Sequence, residues 1–337
     1  MAADPPDRQT MTHEAMATVY RLTLVHGEPA YARQAAAEAF AELDRIEGRL
    51  SRYVESSDVF RINRLARGRS TVVHLDTFEC LRVALKMQRA TAGAFDVAYG
   101  SAGPRTAGPR FELDPETHTV RLLAGGVRLD LGGIGKGFAL DRMAALLAEW
   151  DVDSGLLRAS TSTLLALGPP PGEPGWTVRV GADHDPVPLC LAHRAVSASG
   201  TSVKGSHVID PRTGRPATGQ FRAWAVAPAA AAADALSTAF LVMTHAEVQA
   251  FCRAHPDVSA HLARAAPGEH DGGGTTTSGG MPSTGGMPST AQPAWACPAQ
   301  ETCSPDASRR ESMPPWRESM PPRAFEPVPN PQREEDG

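Results

Sequence analysis

The stretch LDLGGIGKGFALDRMAALLAEW (129–150) decides how the chain is read. GGVRLDLGGIGKG (125–137) reads as a strand running into a glycine-rich turn, and FALDRMAALLAEW (138–150) as the helix that follows. Glycines 132, 133, 135 and 137 let the backbone approach a ligand closely, and a helix N-terminus favours anions. The pattern is neither GxxxxGK[ST] nor GxGxxG in a βαβ setting. Alone it leaves a phosphate site and a plain structural turn equally open.

Working outward, TVYRLTLVHG (18–27) alternates as a strand. Residues 31–53 carry Ala37, Phe40, Leu43, Ile46 and Leu50 at helical spacing. A second amphipathic helix spans 75–91 and ends in the glycine of TAGAFD. Downstream lie the short strands GLLRAS (155–160), WTVRVG (176–181), VPLCLAH (187–193), AVSASG (195–200) and 221–228, then an alanine-rich helix over 229–243. Helices and strands interleave without a strict βαβ repeat, which predicts an α+β fold.

Composition changes near Pro267. Beyond it GGMPST repeats at 279–284 and 285–290, and RESMPPW (310–316) is echoed by RESMPPR (317–323). Such a segment cannot bury enough apolar surface to offset its ordering entropy. The expected division is a flexible N-terminus (1–15), a globular domain (16–267) and a disordered tail rich in Pro, Gly, Ser and Thr (268–337). The 337 residues carry a net charge of −5, so no basic footprint points to nucleic acid. No apolar run reaches the roughly 18 residues of a transmembrane helix. The N-terminus shows neither an apolar signal region nor a lipobox, and a cytoplasmic location is expected. Cys80, Cys190, Cys252, Cys297 and Cys303 form no CxxC pair, which disfavours a zinc ribbon or a disulfide framework.

Three further stretches carry candidate chemistry. In GSHVIDPRTGRPA (205–217), His207 stands beside a DPRTG turn, where a group of near-neutral pKa could act as a base or be a structural histidine. In AAAADALSTAFLVM (230–243), Asp234 and Thr238 share a helix face, with Ser237 adjacent. A carboxylate among alanines needs a partner or a cation, and such oxygens suit Mg²⁺; hydroxyls bonding back to the previous turn are the plain alternative. In TAGAFDVAYG (91–100), Phe95 and Asp96 could face a planar heterocycle, or Phe95 could be core.

In this order, LSRYVESSDVFRINR (50–64), TAGAFD (91–96), LDLGGIGKGFALD (129–141), SHVIDPRTGRP (206–216) and ADALST (233–238) resemble the ApbE family of flavin transferases, over roughly residues 16 to 245. The resemblance implies a two-lobed α+β fold with mixed or antiparallel sheets flanked by helices. It implies FAD as substrate, Mg²⁺ as cofactor, and transfer of FMN to a threonine hydroxyl of an acceptor flavoprotein with release of AMP. Met16, Tyr53, Ala94, Phe95, Asp96, Gly132, Lys136, Phe138 and Val208 match flavin-binding positions. Gly135, Asp234, Ser237 and Thr238 match the metal site, and His207 the base. The chain departs from the family at Ser160, Thr161 and Ser162, where relatives carry glycines and an acid. Two alternatives stay open: an FAD-binding homologue whose transferase activity that departure has disabled, and a pyrophosphatase giving FMN and AMP, with water in place of threonine at the same site.

Overall fold

The computed structural model describes residues 8–102, 109–182, 185–200, 208–217, 222–263 and 294–297. Its backbone is an eight-stranded antiparallel sheet. In spatial order the strands are β1 (Arg8–Ala15), β2 (Thr18–Val25), β6 (Ser154–Ala159), β7 (Thr163–Ala166), β10 (Arg194–Gly200), β11 (Arg222–Ala227), β12 (Ser259–Ala263) and β13 (Ala294–Cys297). A small sheet holds β3 (Ser70–Val72), β5 (Thr119–Leu122) and β4 (Phe111–Asp114), and β8 (Trp176–Ala182) pairs with β9 (Asp185–Leu191) as a hairpin. The helices are α1 (Pro29–Leu50), α2 (Asp58–Ile62), α3 (Leu75–Ala90), α4 (Gly135–Glu149), α5 (Ala230–Val242) and α6 (His245–Ala254).

The sequence of β11, RAWAVA, shows how the layers are sorted. Ala223, Ala225 and Ala227 join the core shared with the helices, whereas Trp224 and Val226 join a second cluster with Trp176, Val178 and Leu191 of the β8–β9 hairpin. Alternate residues of a strand face opposite sides, so the helices take one face and the hairpin the other. On the helical side, α5 presents Ala230, Ala231, Ala233, Ala235 and Ala239, all buried. Small residues on both surfaces bring α5 close to the sheet. Helices α1, α3 and α4 are tied together by charge: Arg142 Nε lies 3.2 Å from Asp76 Oδ1, and its guanidinium 3.6 Å from Glu42 Oε1. Both carboxylates are almost fully buried, a position tolerable only because they are paired.

Four expectations need correction. Residues 8–15 are not a flexible leader but strand β1, joined to β2 by the two-residue turn Met16–Ala17. Its inward positions alternate between polar Gln9 and His13 and apolar Met11 and Ala15, so hydrophobic periodicity marks it only weakly. Within the tail, Ala294–Cys297 pairs with β12, because AWAC is an apolar run meeting an open sheet edge. The remaining tail lies outside the described residues. Val127–Leu131 joins no sheet. Instead the Asn63 side chain takes the place of a neighbouring strand, donating to Leu129 O (3.0 Å) and accepting from Leu129 N (2.6 Å). Finally, Cys190 is disulfide-bonded, whereas Cys80 and Cys252 are free.

Candidate functional site

Helix α3 ends in a Schellman motif: Gly93 N donates to Gln88 O and Ala92 N to Arg89 O. The left-handed position belongs to Ala92 (φ +48°), with Gly93 (φ +82°) beside it, so the stop is one residue earlier than the glycine suggests. The turn delivers Ala94 and Phe95 into the core and leaves Asp96 half-buried, its carboxylate accepting from Ala98 N (2.8 Å).

The glycine-rich turn meets this loop directly. A Cβ on Gly133 would stand 3.3 Å from Phe95 Cε2 and 3.2 Å from Thr238 Oγ1, closer than side chains ordinarily approach. One bare backbone position thus brings together three stretches that lie far apart in sequence. At Gly137 the approach is closer still: a Cβ there would fall onto the Ala230 carbonyl and 2.7 Å from Ala231 N. The absence of that carbon lets α4 lie against the start of α5. Gly137 N then donates to Asp234 Oδ2 (3.1 Å). A carboxylate at a helix N-terminus is favourably placed.

Around Asp234 Oδ1 lie Lys136 Nζ (3.5 Å), Ser197 Oγ (3.3 Å) and Thr163 Oγ1 (3.5 Å). Ser199 Oγ is 2.8 Å from Ser237 Oγ and 3.3 Å from Thr238 Oγ1. Ser237 and Thr238 also donate to Asp234 O, the back-bonding expected of helix hydroxyls. Sequence reasoning missed Thr163, Ser197 and Ser199. The signal was available in AVSASG, where serines two apart must share one face of β10.

This cluster suits a hard cation. Its donors are one carboxylate and several hydroxyls, with no thiol or imidazole among the described partners. Among the described residues no three His, Cys, Asp or Glu side chains are grouped so as to hold a metal ion by themselves. Hard oxygen donors of this kind would suit Mg²⁺, which completes its shell with substrate phosphates and water.

Asp141, one turn into α4, is buried and accepts from Ala230 N and Ala231 N, each at 2.8 Å. Burial pushes its carboxyl up to about 7, against the pull of those two amides. Tyr20 donates to Met16 Sδ (3.2 Å), and its phenol is pushed well up by burial and by the Asp234 charge. Met16 and Ala17 both have positive φ (+50° and +56°), so the turn carries Met16 in a left-handed backbone.

Beside the glycine turn is a cleft of about 490 Å³ lined by Tyr53, Tyr99, Asn63, Arg64, Arg128 and Asp130. Tyr53 is 76% exposed, so its ring is open to a ligand rather than packed as core. Arg52 lies 4.8 Å from the Tyr53 ring centroid and 3.0 Å from Asp130. Asp130 in turn accepts from Gly132 N (2.9 Å), which joins the cleft to the turn. Among the other expected residues, Gly132 is exposed, while Gly135 and Phe138 are buried in the first turn of α4. Val208 is half-buried and packs on the main core. His207 lies outside the described residues. The loop that follows it is anchored by Arg212, which donates to Asp210 (3.0 Å), Glu247 (2.7 Å) and Val242 O (3.2 Å).

The model of the ApbE family matches residues 16–262. An FAD:protein FMN transferase of Treponema pallidum is 27% identical over 286 residues, spanning 68% of this chain and 79% of that protein. One from Klebsiella pneumoniae is 23% identical over 281 residues, spanning 71% and 80%. The crystal structure of the flavinyl transferase ApbE of Pseudomonas stutzeri, in its apo form, superposes with a TM-score of 0.69 at 22% identity, covering 79% of this chain and 94% of that one.

Proposed function

The chain belongs to the ApbE family, and from that membership we propose that it is an FAD:protein FMN transferase, dependent on Mg²⁺ and acting on a threonine hydroxyl of an acceptor protein. The observation that carries the reading is the meeting of the glycine turn, Phe95 and Thr238 at Gly133, with Asp234 and its hydroxyls alongside.

In this reading Asp234, Ser237 and Thr238, with the Gly135 carbonyl, hold Mg²⁺. When bound, the ion would neutralise the pyrophosphate and steady the charge on departing AMP. Lys136, 3.5 Å from Asp234, supplies a second positive charge for a phosphate. The amide-rich start of α4 favours the same anion. Met16, Tyr53, Ala94, Phe95, Asp96, Gly132, Phe138 and Val208 shape the flavin site, Tyr53 through its exposed ring. His207 takes the proton of the threonine hydroxyl as the new O–P bond forms and the bridging P–O bond of FAD breaks. Positioning and electrostatics supply most of such catalysis.

Ser160, where the chain departs from the family pattern, holds a left-handed backbone of the kind glycine favours (φ +59°). Among the described residues no helix is long and apolar enough to cross a membrane. We also propose the domain boundaries as 16–267, extended at the N-terminus by β1 and at the far edge by β13.

The test is to incubate the protein with FAD, Mg²⁺ and an acceptor-motif peptide, measuring AMP and covalent flavin by mass. Labelled peptide is expected, falling more than about 100-fold in Asp234→Ala and sharply in His207→Ala. AMP without labelled peptide would instead mean a pyrophosphatase, and bound FAD without AMP a binding protein.

A further inference from the structure

Helix α5 carries the candidate cation ligands, and its start is buried without a cap of its own. Ala229 at the N-cap position has no side-chain acceptor, and Ala230 and Ala231 are almost fully buried. The first amides of a helix need partners, and water does not reach these. They are satisfied from another helix: Asp141 of α4 accepts from both, at 2.8 Å each. Four residues earlier on α4, Gly137 N donates to Asp234 Oδ2 at 3.1 Å. One turn of α4 therefore grips the first turn of α5 at both ends, by its amides at 230–231 and by its carboxylate at 234. The bare Gly137 lies on the Ala230 carbonyl and leaves no slack between the two helices.

We propose that Asp141 is a positioning residue for the cation site: by clasping the α5 amides it sets the axial position of Asp234, Ser237 and Thr238. It touches neither substrate nor ion. The inference rests on the reading of this cluster as a Mg²⁺ site, and it extends that reading to a residue outside the ligand set. A side chain kept only to cap a helix would affect folding alone. One that sets the placement of the ligands also affects how tightly the ion is held.

The test measures Mn²⁺ binding directly by electron paramagnetic resonance, with Mn²⁺ standing in for Mg²⁺, alongside thermal unfolding and Mg²⁺-dependent FMN transfer. The variants are Asp141→Asn, the double variant Asp141→Asn with Ala229→Asp, which gives α5 a local cap, and Leu147→Ala as a destabilised control on α4. Asp141→Asn is expected to weaken Mn²⁺ binding about tenfold, in the range seen when groups behind a ligand set are removed. Half-maximal Mg²⁺ should rise in parallel, while the rate at saturating metal changes little. The double variant should recover thermal stability but not metal affinity. Leu147→Ala should lose stability and keep affinity. If the local cap restores Mn²⁺ affinity, or if Leu147→Ala weakens it as much as Asp141→Asn, the proposal is overturned. Wild-type protein that binds Mn²⁺ yet transfers no FMN would refute the proposed activity and leave this inference standing.

Discussion

Gly137 and Ser160 meet related demands and answer them oppositely. At Gly137 a side chain has no room, because a Cβ would enter the backbone of α5. At Ser160 there is room, but the backbone is left-handed (φ +59°), and a serine holds it. Met16, Ala17 and Ala92 are held in the same way. The difference lies in which term is violated. A left-handed torsion costs roughly 1–2 kcal/mol for an ordinary residue, which a well-packed domain can absorb. Backbone overlapping Cβ is a repulsion that no rotamer relieves. Close packing of α4 on α5 therefore demands glycine, whereas the turns only favour it.

The comparison can be broken most forcefully at Gly137. Gly137→Ala must push α5 away from α4, at a cost of about 3 kcal/mol or more, and should abolish metal-dependent activity. Urea denaturation with a transfer assay checks both, and near-wild-type behaviour would show that the helices have slack. At Gly133 the neighbours are side-chain atoms of Phe95 and Thr238, which can shift. Gly133→Ala should cost only about 1 kcal/mol, with FAD affinity suffering more than stability in a binding titration.

On the other side of the comparison the signs reverse. Ser160→Gly should stabilise by about 0.5–1 kcal/mol, the relieved torsion less the entropy that glycine adds to the unfolded chain. Transfer activity should be unchanged, and a drop in melting temperature would mean that the serine hydroxyl contributes what the torsion takes away. Replacing Met16–Ala17 by Asn–Gly, the pair suited to a two-residue hairpin turn, should stabilise by a similar or smaller amount. If Met16 contacts flavin, the same variant binds FAD more weakly, so a gain in stability with a loss of affinity would mark strain retained for function.

Local signals were strong enough to place several elements from sequence. The alternation of TVYRLTLV, the spacing of Phe40, Leu43, Ile46 and Leu50, and the alanine-rich run at 230–242 correspond to β2, α1 and α5, although Ala37, counted in the same spacing, is exposed. Each has a period that its own residues declare. Strand β1 mixes polar Gln9 and His13 with apolar Met11 and Ala15 on its inner face, and β13 is a short run within a proline-rich tail, so neither declares itself by period and each is fixed by the edge it pairs with. Val127–Leu131 reads as a strand, yet it joins no sheet, and Leu129 is paired by the Asn63 side chain, 66 positions away.

The candidate site divides along the same line. Asp234 stands out because a carboxylate on an alanine-rich helix needs a partner, whereas the hydroxyls of Ser237 and Thr238 also satisfy themselves on the previous turn. Thr163, Ser197 and Ser199 complete the cluster from β7 and β10; the spacing in AVSASG puts the two serines on one face, but nothing near them in the chain says that the face meets Asp234. Asp141 is visible in the sequence as the last residue of the glycine-turn motif, but its two amide partners lie 89 and 90 positions on. Sequence by itself determined which residue types were present and which faces of each element they share, since those follow from periods of 2.0 and 3.6. Only the tertiary structure decided which backbones approach without a Cβ between them and which buried amides meet which carboxylate, because packing and hydrogen-bond satisfaction are settled between elements rather than within one.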